Sequence, residues 1–317
     1  MAWASLRTPI VETAVERLSQ NVDAFNAASN GGILLSSPNN VGDFVDQIMF
    51  GQMEKTERRT RANGEGTEAT IEVPQVNATR ITVNGRFGPY HWNAQDPAWQ
   101  GMADSAVVNA LSGQVASNIM KDQINTLTSA AIGAITEAAD TVSDISASVD
   151  AAGAISLPAL NNTLALLGDA SMGVACICMN GVSWHLLVGD AIANSNNLFN
   201  YDGIRVQDFM GKPYVVYDAP AFTVSTTDYH ILALNPAGAT TENQGSPVIA
   251  MTEKTGENIT RQFQGDYSYQ LGLKGMAYGG TADPSDAELA TGSNWTAVYT
   301  SAKAGVGALL TANQFAG

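Results

Sequence analysis

Nucleophilic catalysis needs a serine or cysteine held against a base, and this chain offers few such pairings. Of its three histidines, His91, His185 and His230, only His185 has a nucleophile close in sequence, in Ser183-Trp184-His185. A spacing of two across a tryptophan does not build a triad, and no Gly-x-Ser-x-Gly elbow occurs, so His185 reads as a structural histidine. The two cysteines, Cys176 and Cys178, form a single Cys-x-Cys in an apolar run, which lacks the second pair that zinc spacing requires. On a strand both would point to one face without the reach for a comfortable disulfide, which suits a reducing compartment. Neither Gly-x-x-x-x-Gly-Lys-Ser/Thr nor Gly-x-Gly-x-x-Gly is present, so no nucleotide cofactor is expected. The acid pairs Asp202 with Asp208 and Asp283 with Asp286 read as solvated surface in a chain with 30 Asp and Glu. No catalytic, cofactor-binding or metal-ligating residue is assigned.

One charged cluster stands out. Residues 51–90 hold six of the fifteen basic residues, and around Arg58, Arg59 and Arg61 lie Lys55 and the acids Glu54, Glu57, Glu65 and Glu68. The interleaved acids disfavour a phosphate-binding patch, whereas mixed signs on a projecting loop suit reciprocal contacts with copies of the same chain. These eight residues are the candidate intersubunit contacts. The net charge of −15 also argues against a dedicated nucleic-acid binder.

The elements that would carry this cluster follow from patterning. Residues 1 to about 45 contain a short amphipathic stretch, Thr13 to Leu18, and then an Asn-, Ser- and Gly-rich run, which reads as an extended arm. Asn63-Gly64-Glu65-Gly66, with Ile71, Val73, Ile81 and Val83 alternating beyond it, predicts a two-stranded loop too poor in apolar residues to stand alone. Asp96-Pro97 predicts a helix start, and an apolar stripe from Met102 to Ile135 predicts a helix from Ala98 to about Ala138, roughly 60 Å long, with Gly113 and Gly133 as its weak points. From Gln123 to Ile204 there is no Lys or Arg. Beyond, Leu160–Leu167 reads as helix, Val182–Leu187 as a short helix or strand, and 173–179, 203–206, 214–217, 229–234, 248–252, 259–263 and 267–278 as strands, giving an α+β lobe. Only 14% of residues are charged, so much of the surface is neutral and suited to being covered by neighbours. The chain's beginning reads as lacking a signal peptide, and no apolar run is long enough for a bilayer span.

In this order of parts the chain resembles the major capsid proteins of tailed bacteriophages, with the Hong Kong 97 type of shell fold. Ala165-Leu166-Leu167-Gly168-Asp169-Ala170 with Val174-Ala175-Cys176-Ile177-Cys178-Met179-Asn180 resembles that family's helix leading into a central axial-domain strand. Tyr201-Asp202-Gly203-Ile204 with Phe209 to Asp218 resembles its segment of a tip, a glycine and a strand ending in an acid. Asp283-Pro284, Glu288-Leu289-Ala290 and Asn294-Trp295 resemble the end of one capsid subgroup, ahead of a last strand. The resemblance implies an N-terminal arm over 1–45, an extended loop over 46–92, a peripheral domain with a spine helix over 93–155, an axial domain over 156–245, and return strands with a C-terminal segment over 246–317. It implies a structural, non-enzymatic subunit that assembles as hexamers and pentamers into an icosahedral head in the host cytoplasm. That head would enclose double-stranded DNA without sequence-specific binding and without a membrane. A separate scaffolding protein and a portal are implied, and a decoration protein is compatible. Some relatives cross-link through Lys and Asn, but nothing around Lys55 supports that role. A tail-tube or connector subunit is the nearest alternative and a cytosolic hydrolase a more distant one; the long helix argues against the first, the missing nucleophile–base pair against the second. On this reading, removal of residues 1–40 impairs assembly and spares subunit folding.

Overall fold

The computed structural model describes residues 6–36, 42–50, 75–93, 104–148, 151–194, 200–201, 204–205 and 211–314. The first helix, α1 (Arg7–Ala28), forms on Ile10, Ala14, Leu18 and Val22, which recur every four residues and are all buried. This corrects the extended-arm reading of the first 45 residues. The Asn- and Ser-rich composition costs at most about 0.7 kcal/mol of helix propensity per residue, less than the roughly 1.5–3 kcal/mol from burying each large apolar side chain of the stripe. A tight turn leads into β1 (Ile33–Ser36). Removal of residues 1–40 therefore strips a core helix and a sheet strand, and the expectation that it spares folding is overturned.

Next come β2 (Phe44–Phe50), β3 (Gln75–Asn93), the long helix α2 (Asp104–Ala138) and β4 (Val142–Asp144). Then follow α3 (Leu157–Ala165), β5 (Cys176–Met179), α4 (Gly181–Asn194), and the short pair β6 (Asn200–Tyr201) and β7 (Ile204–Arg205). The remainder is β8 (Tyr214–Val216), β9 (Asp228–Leu234), β10 (Ala239–Asn243), β11 (Val248–Lys254), β12 (Thr260–Leu273) and β13 (Met276–Tyr278). The five-residue helix α5 (Asp286–Ala290), β14 (Trp295–Ala297) and β15 (Gly307–Asn313) close the described chain.

Two sheets organise these elements. One runs β1-β10-β12-β3-β2, with β11 also paired to β12, and the other runs β4-β15-β9-β5-β8. Alternation sorts the second sheet's side chains cleanly. Cys176, Cys178, Leu232, Leu234 and Leu309 face the main core that holds α1 and α2, while Ile177, Met179, Ile231, Ala233 and Leu310 face a second core with Leu160, Leu164 and Leu187 of α3 and α4. Both faces are covered, so every residue of β5 and β15 is buried, and β5 reads as a continuous apolar run. Sheet membership cuts across the expected blocks: β10, within 156–245, belongs to the first sheet, while β4 and β15 join the second from outside it.

Where two strands are expected over 259–278, β12 runs unbroken for 14 residues. Its register shifts between Phe263 and Gly265, where the Phe87 ring lies against the glycine so closely that a Cβ would sit 2.2 Å from it. The break comes at Gly275, whose φ of +72° the turn into β13 requires.

Helix α2 spans 35 residues, about 52 Å, and ends where expected because Ala139 turns left-handed at φ +58°. Asp96-Pro97 lies outside the described residues. Neither glycine breaks the helix. Gly113 lies against the Arg17 guanidinium, and a Cβ on Gly133 would come within 2.2 Å of the Ala290 carbonyl oxygen, so Gly133 is where α5 touches helix backbone. Arg17 also reaches Asn109 Oδ1 at 2.6 Å, tying α1 to α2.

Gly133→Ala separates two opposed effects. In an open helix it stabilises by about 1 kcal/mol. Against Ala290 it forces α5 away, so a net loss of about 1–3 kcal/mol is expected in urea denaturation, and a stabilised variant would show that the contact is dispensable.

Candidate functional site

The groups that could do chemistry are placed by the sheets and helices in structural positions. Cys176 and Cys178 share one face of β5, fully buried, with sulfurs 3.8 Å apart and both thiols free. The neighbouring Cys176 thiol, and then burial, push the Cys178 thiol well up. In the same core Tyr217 Oη lies 2.7 Å from Thr128 Oγ1 of α2, and burial pushes that phenol well up too. Ser183 is buried near the start of α4, whereas His185 is exposed two residues on, so the helix turns them apart rather than together. His91 is exposed on β3.

Among the described residues the fold makes a histidine–hydroxyl contact that the sequence does not announce. His230 on β9 and Thr311 on β15 are register partners, and Nδ1 lies 3.0 Å from Oγ1. Burial pushes His230 down against the opposing pull of Asp144, so the ring is neutral near neutral pH and serves as a cross-strand hydrogen-bond partner. No sequence pattern announces this pair, because 81 residues separate its members.

Asp283 is exposed and accepts from Asn84 Nδ2 at 3.3 Å, and Asp286 sits in the first turn of α5; Asp202 and Asp208 lie outside the described residues. Among the described residues no group of three or more His, Cys, Asp or Glu is placed to hold a metal ion, and no helix is long and apolar enough to cross a membrane.

The eight candidate contact residues, Glu54, Lys55, Glu57, Arg58, Arg59, Arg61, Glu65 and Glu68, lie outside the described residues. What the structure describes is the base that carries them. Strands β2 and β3 pair antiparallel from Phe44 opposite Ile81 to Phe50 opposite Gln75, so the chain leaves and re-enters side by side. That base is tied down from the sheet's outer side. The Gly42 carbonyl accepts from Thr82 Oγ1 at 2.7 Å and Gln244 Nε2 at 3.4 Å, and Gln244 also donates to Thr82 at 3.0 Å. Arg80 of β3 crosses over Gly272 of β12, where a Cβ would meet its side chain at 2.8 Å, and forms an ion pair with Glu242 of β10. On the helix side, Phe87, Tyr90, Trp92 and Phe263 face Leu111 and Val115 of α2 across an apolar groove of about 300 Å³.

The motif residues behind the capsid resemblance hold elements in place. Asn180 Oδ1 caps α4 by accepting from Ser183 N at 2.8 Å, and Asp218 Oδ1 accepts from Gly181 N at 3.3 Å. Lys212 donates to the carbonyls of Met172 and Val174 at 3.0 and 3.2 Å, fastening the chain ahead of β8 to the approach of β5. At the C-terminal motif Ser285 and Glu288 form a capping box, Asn294 Nδ2 donates to Glu288 O at 2.8 Å, and Trp295 Nε1 donates to Leu289 O at 2.9 Å. This knot seats α5 on α2.

A family model described as Gp13-like, major capsid protein 13-like, matches residues 6–309. No curated protein matches the chain. Among solved structures, the capsid asymmetric unit of cyanophage Pam1 is similar at 10% identity and a TM-score of 0.55, over 89% of this chain and 88% of that one. A chain from Mycobacterium phage Adephagia is similar at 10% identity and a TM-score of 0.53, over 90% of this chain and 89% of that one. A chain from the head of Helicobacter pylori bacteriophage KHP40 is similar at 6% identity and a TM-score of 0.53, over 90% and 88%. At these identities the likeness is one of fold.

Burial of both thiols is directly measurable. A thiol reagent is expected to label neither cysteine in the native chain and both in denaturant; rapid native labelling would place β5 at a surface.

Proposed function

The chain belongs to the Gp13-like family of major capsid proteins, and from that membership we propose that it builds the phage head as hexamers and pentamers, locked together by the loop that β2 and β3 carry. It is a structural capsid protein, and its work is burying surface against copies of itself. Family membership carries this reading; the physical features on which it draws are the low charge density, the rigid base beneath a loop of mixed charge, and a polar, weakly charged exterior. The ring or tube subunit and the hydrolase gain no comparable support.

Arg58, Arg59 and Arg61 in this reading meet acids on a neighbouring subunit, and Glu54, Glu57, Glu65 and Glu68 meet its bases. The loop needs no enzymatic chemistry for this. Assembly in the host cytoplasm, enclosure of double-stranded DNA without sequence readout, and help from a scaffolding protein and a portal belong to the same proposal, as does room for a decoration protein.

The test is electron microscopy and sedimentation of particles made in bacteria, with and without a candidate scaffolding partner. Closed shells are expected from the wild-type chain. Reversing Arg58, Arg59 and Arg61 to Glu sets like charges against each other at a cost of several kcal/mol per contact, so shell yield is expected to fall at least about tenfold while circular dichroism of the subunit stays unchanged. Shells at wild-type yield would overturn the locking role, and stacked rings would overturn the head assignment.

A further inference from the structure

The first sheet ends on two different edges. At one end lies β1, whose outward backbone groups are taken by side chains of α1. Asn26 Nδ2 donates to Leu35 O at 2.7 Å while Asn26 Oδ1 accepts from Leu35 N at 2.9 Å, and Ser29 Oγ donates to Ile33 O at 2.9 Å. One amide thus exchanges both bonds with one residue, as an antiparallel neighbour does, and this edge is closed to further strands. At the other end lies β2, and among the described residues no strand pairs with its outer side.

Which groups β2 offers follows from its register. Thr82 N donates to Asp43 O at 2.9 Å, and these two residues stand opposite one another in the register that sets Phe44 against Ile81. Asp43 therefore faces inward, and alternation turns the backbone of Val45, Gln47 and Met49 toward β3 as well. The N–H and C=O groups of Phe44, Asp46, Ile48 and Phe50 point the other way. The usual devices that blunt such an edge, a lysine, a proline or a bulge, are missing from Phe44–Phe50. Its one charge, Asp46, accepts from Thr79 Oγ1 of β3 at 2.8 Å and is tied to its own sheet.

We propose that the outer edge of β2 pairs with β2 of a second copy, antiparallel about a two-fold axis at Gln47, so that the first sheet runs on from one subunit into the next. The strand is complementary to itself in this register. Centred on Gln47, Phe44 stands opposite Phe50 of the second copy and Asp46 opposite its Ile48, so every outward residue of Phe44–Phe50 meets an outward residue. Centring the pair on Asp46 instead sets like charges directly opposite one another, and centring it on Ile48 leaves Phe44 without a mate. The inference rests on the head reading only in that a second copy is at hand, as it is for a major capsid protein. A two-fold contact closes on itself, and so links two rings of subunits rather than building one.

The test is residue-resolved hydrogen exchange on the full chain, as assembled particles and as subunits separated from them by dilution. The amides of Asp46, Ile48 and Phe50 are expected to exchange at least about tenfold more slowly in the particles, while those of Val45, Gln47 and Met49 are protected in both. Ile48→Pro removes one outward N–H from each copy, a change an edge strand tolerates. It is expected to lower particle yield about tenfold with circular dichroism unchanged, whereas Gln47→Pro, which removes an inward N–H, is expected to disturb the subunit itself. If Ile48→Pro does not fold, cross-linking replaces it. Under copper–phenanthroline oxidation Gln47→Cys is expected to give disulfide-linked dimers, because this position meets its own copy at about 4.5 Å between Cα atoms, and Val45→Cys is expected to give none. Slow exchange already present in the separated subunit, or equal exchange in both forms while shells assemble, overturns the pairing and leaves the head reading standing. Protection without the Gln47→Cys dimer also overturns it, by placing a different strand on the edge. Protected amides and dimers without shells support the pairing and count against the head reading.

Discussion

From Gln123 to Ile135, α2 meets protein on almost every side: Ile124, Leu127, Ala130, Ala131, Ala134 and Ile135 are buried on successive turns. A helix enclosed in this way has no face on which to carry a cation, since an unpaired buried ammonium costs several kcal/mol. That constraint accounts for Lys121 being the last basic residue of the helix. It also requires small residues where other chain segments lie against the helix, and Gly133 beside Ala290 is the extreme case. The earlier half of α2 is different. Around Val107, Leu111 and Val115 it buries one stripe and leaves Ser105, Ala106, Asn109 and Ala110 exposed. One helix is therefore a surface element at its start and a core element at its end, and both sheets are packed on the part that is core.

The second sheet depends on that enclosure. With α1 and α2 against one face and α3 and α4 against the other, its strands need no polar side, and alternation along β5, β9 and β15 assigns residues to one core or the other instead of to core and solvent. The first sheet keeps a polar outer face, and it is there that Arg80, Glu242, Thr82 and Gln244 fasten the base of the β2–β3 hairpin. The division places these polar ties at the base of the β2–β3 pair, away from the core.

Much of this was legible in the sequence, and the misses have physical causes. The long helix was readable from its apolar spacing because thirty-five residues of period 3.6 leave a strong signal. Its glycines misled, since propensity weighs a glycine by its entropy and knows nothing of an approaching backbone. Helix α1 is hidden by Asn21, Asn26 and Ser29, whose types favour turns, although Ile10, Ala14, Leu18 and Val22 stand four apart and carry the helical signal. The pattern over 259–263 and 267–278 suggests two strands where β12 is one, because Gly265 between them lacks the side chain that would crowd Phe87. The His230–Thr311 pair had no sequence signal, because its members are 81 residues apart and only the sheet register unites them.

The position of β15 has a consequence for synthesis. It lies between β4 and β9, parallel to the first and antiparallel to the second, and contributes residues to both cores. Domains form as the chain emerges from the ribosome, beginning with the residues made first. Here an interior strand of the sheet comes last among the described strands, so a chain that stops before it has a gap where β4 and β9 should be bridged. A nascent or prematurely terminated subunit then exposes unfilled sheet edges and both apolar faces, which are the features by which proteases and chaperones recognise unfinished protein. A chain that stops before β15 therefore lacks, in one stroke, the bridge between two strands and residues of both cores.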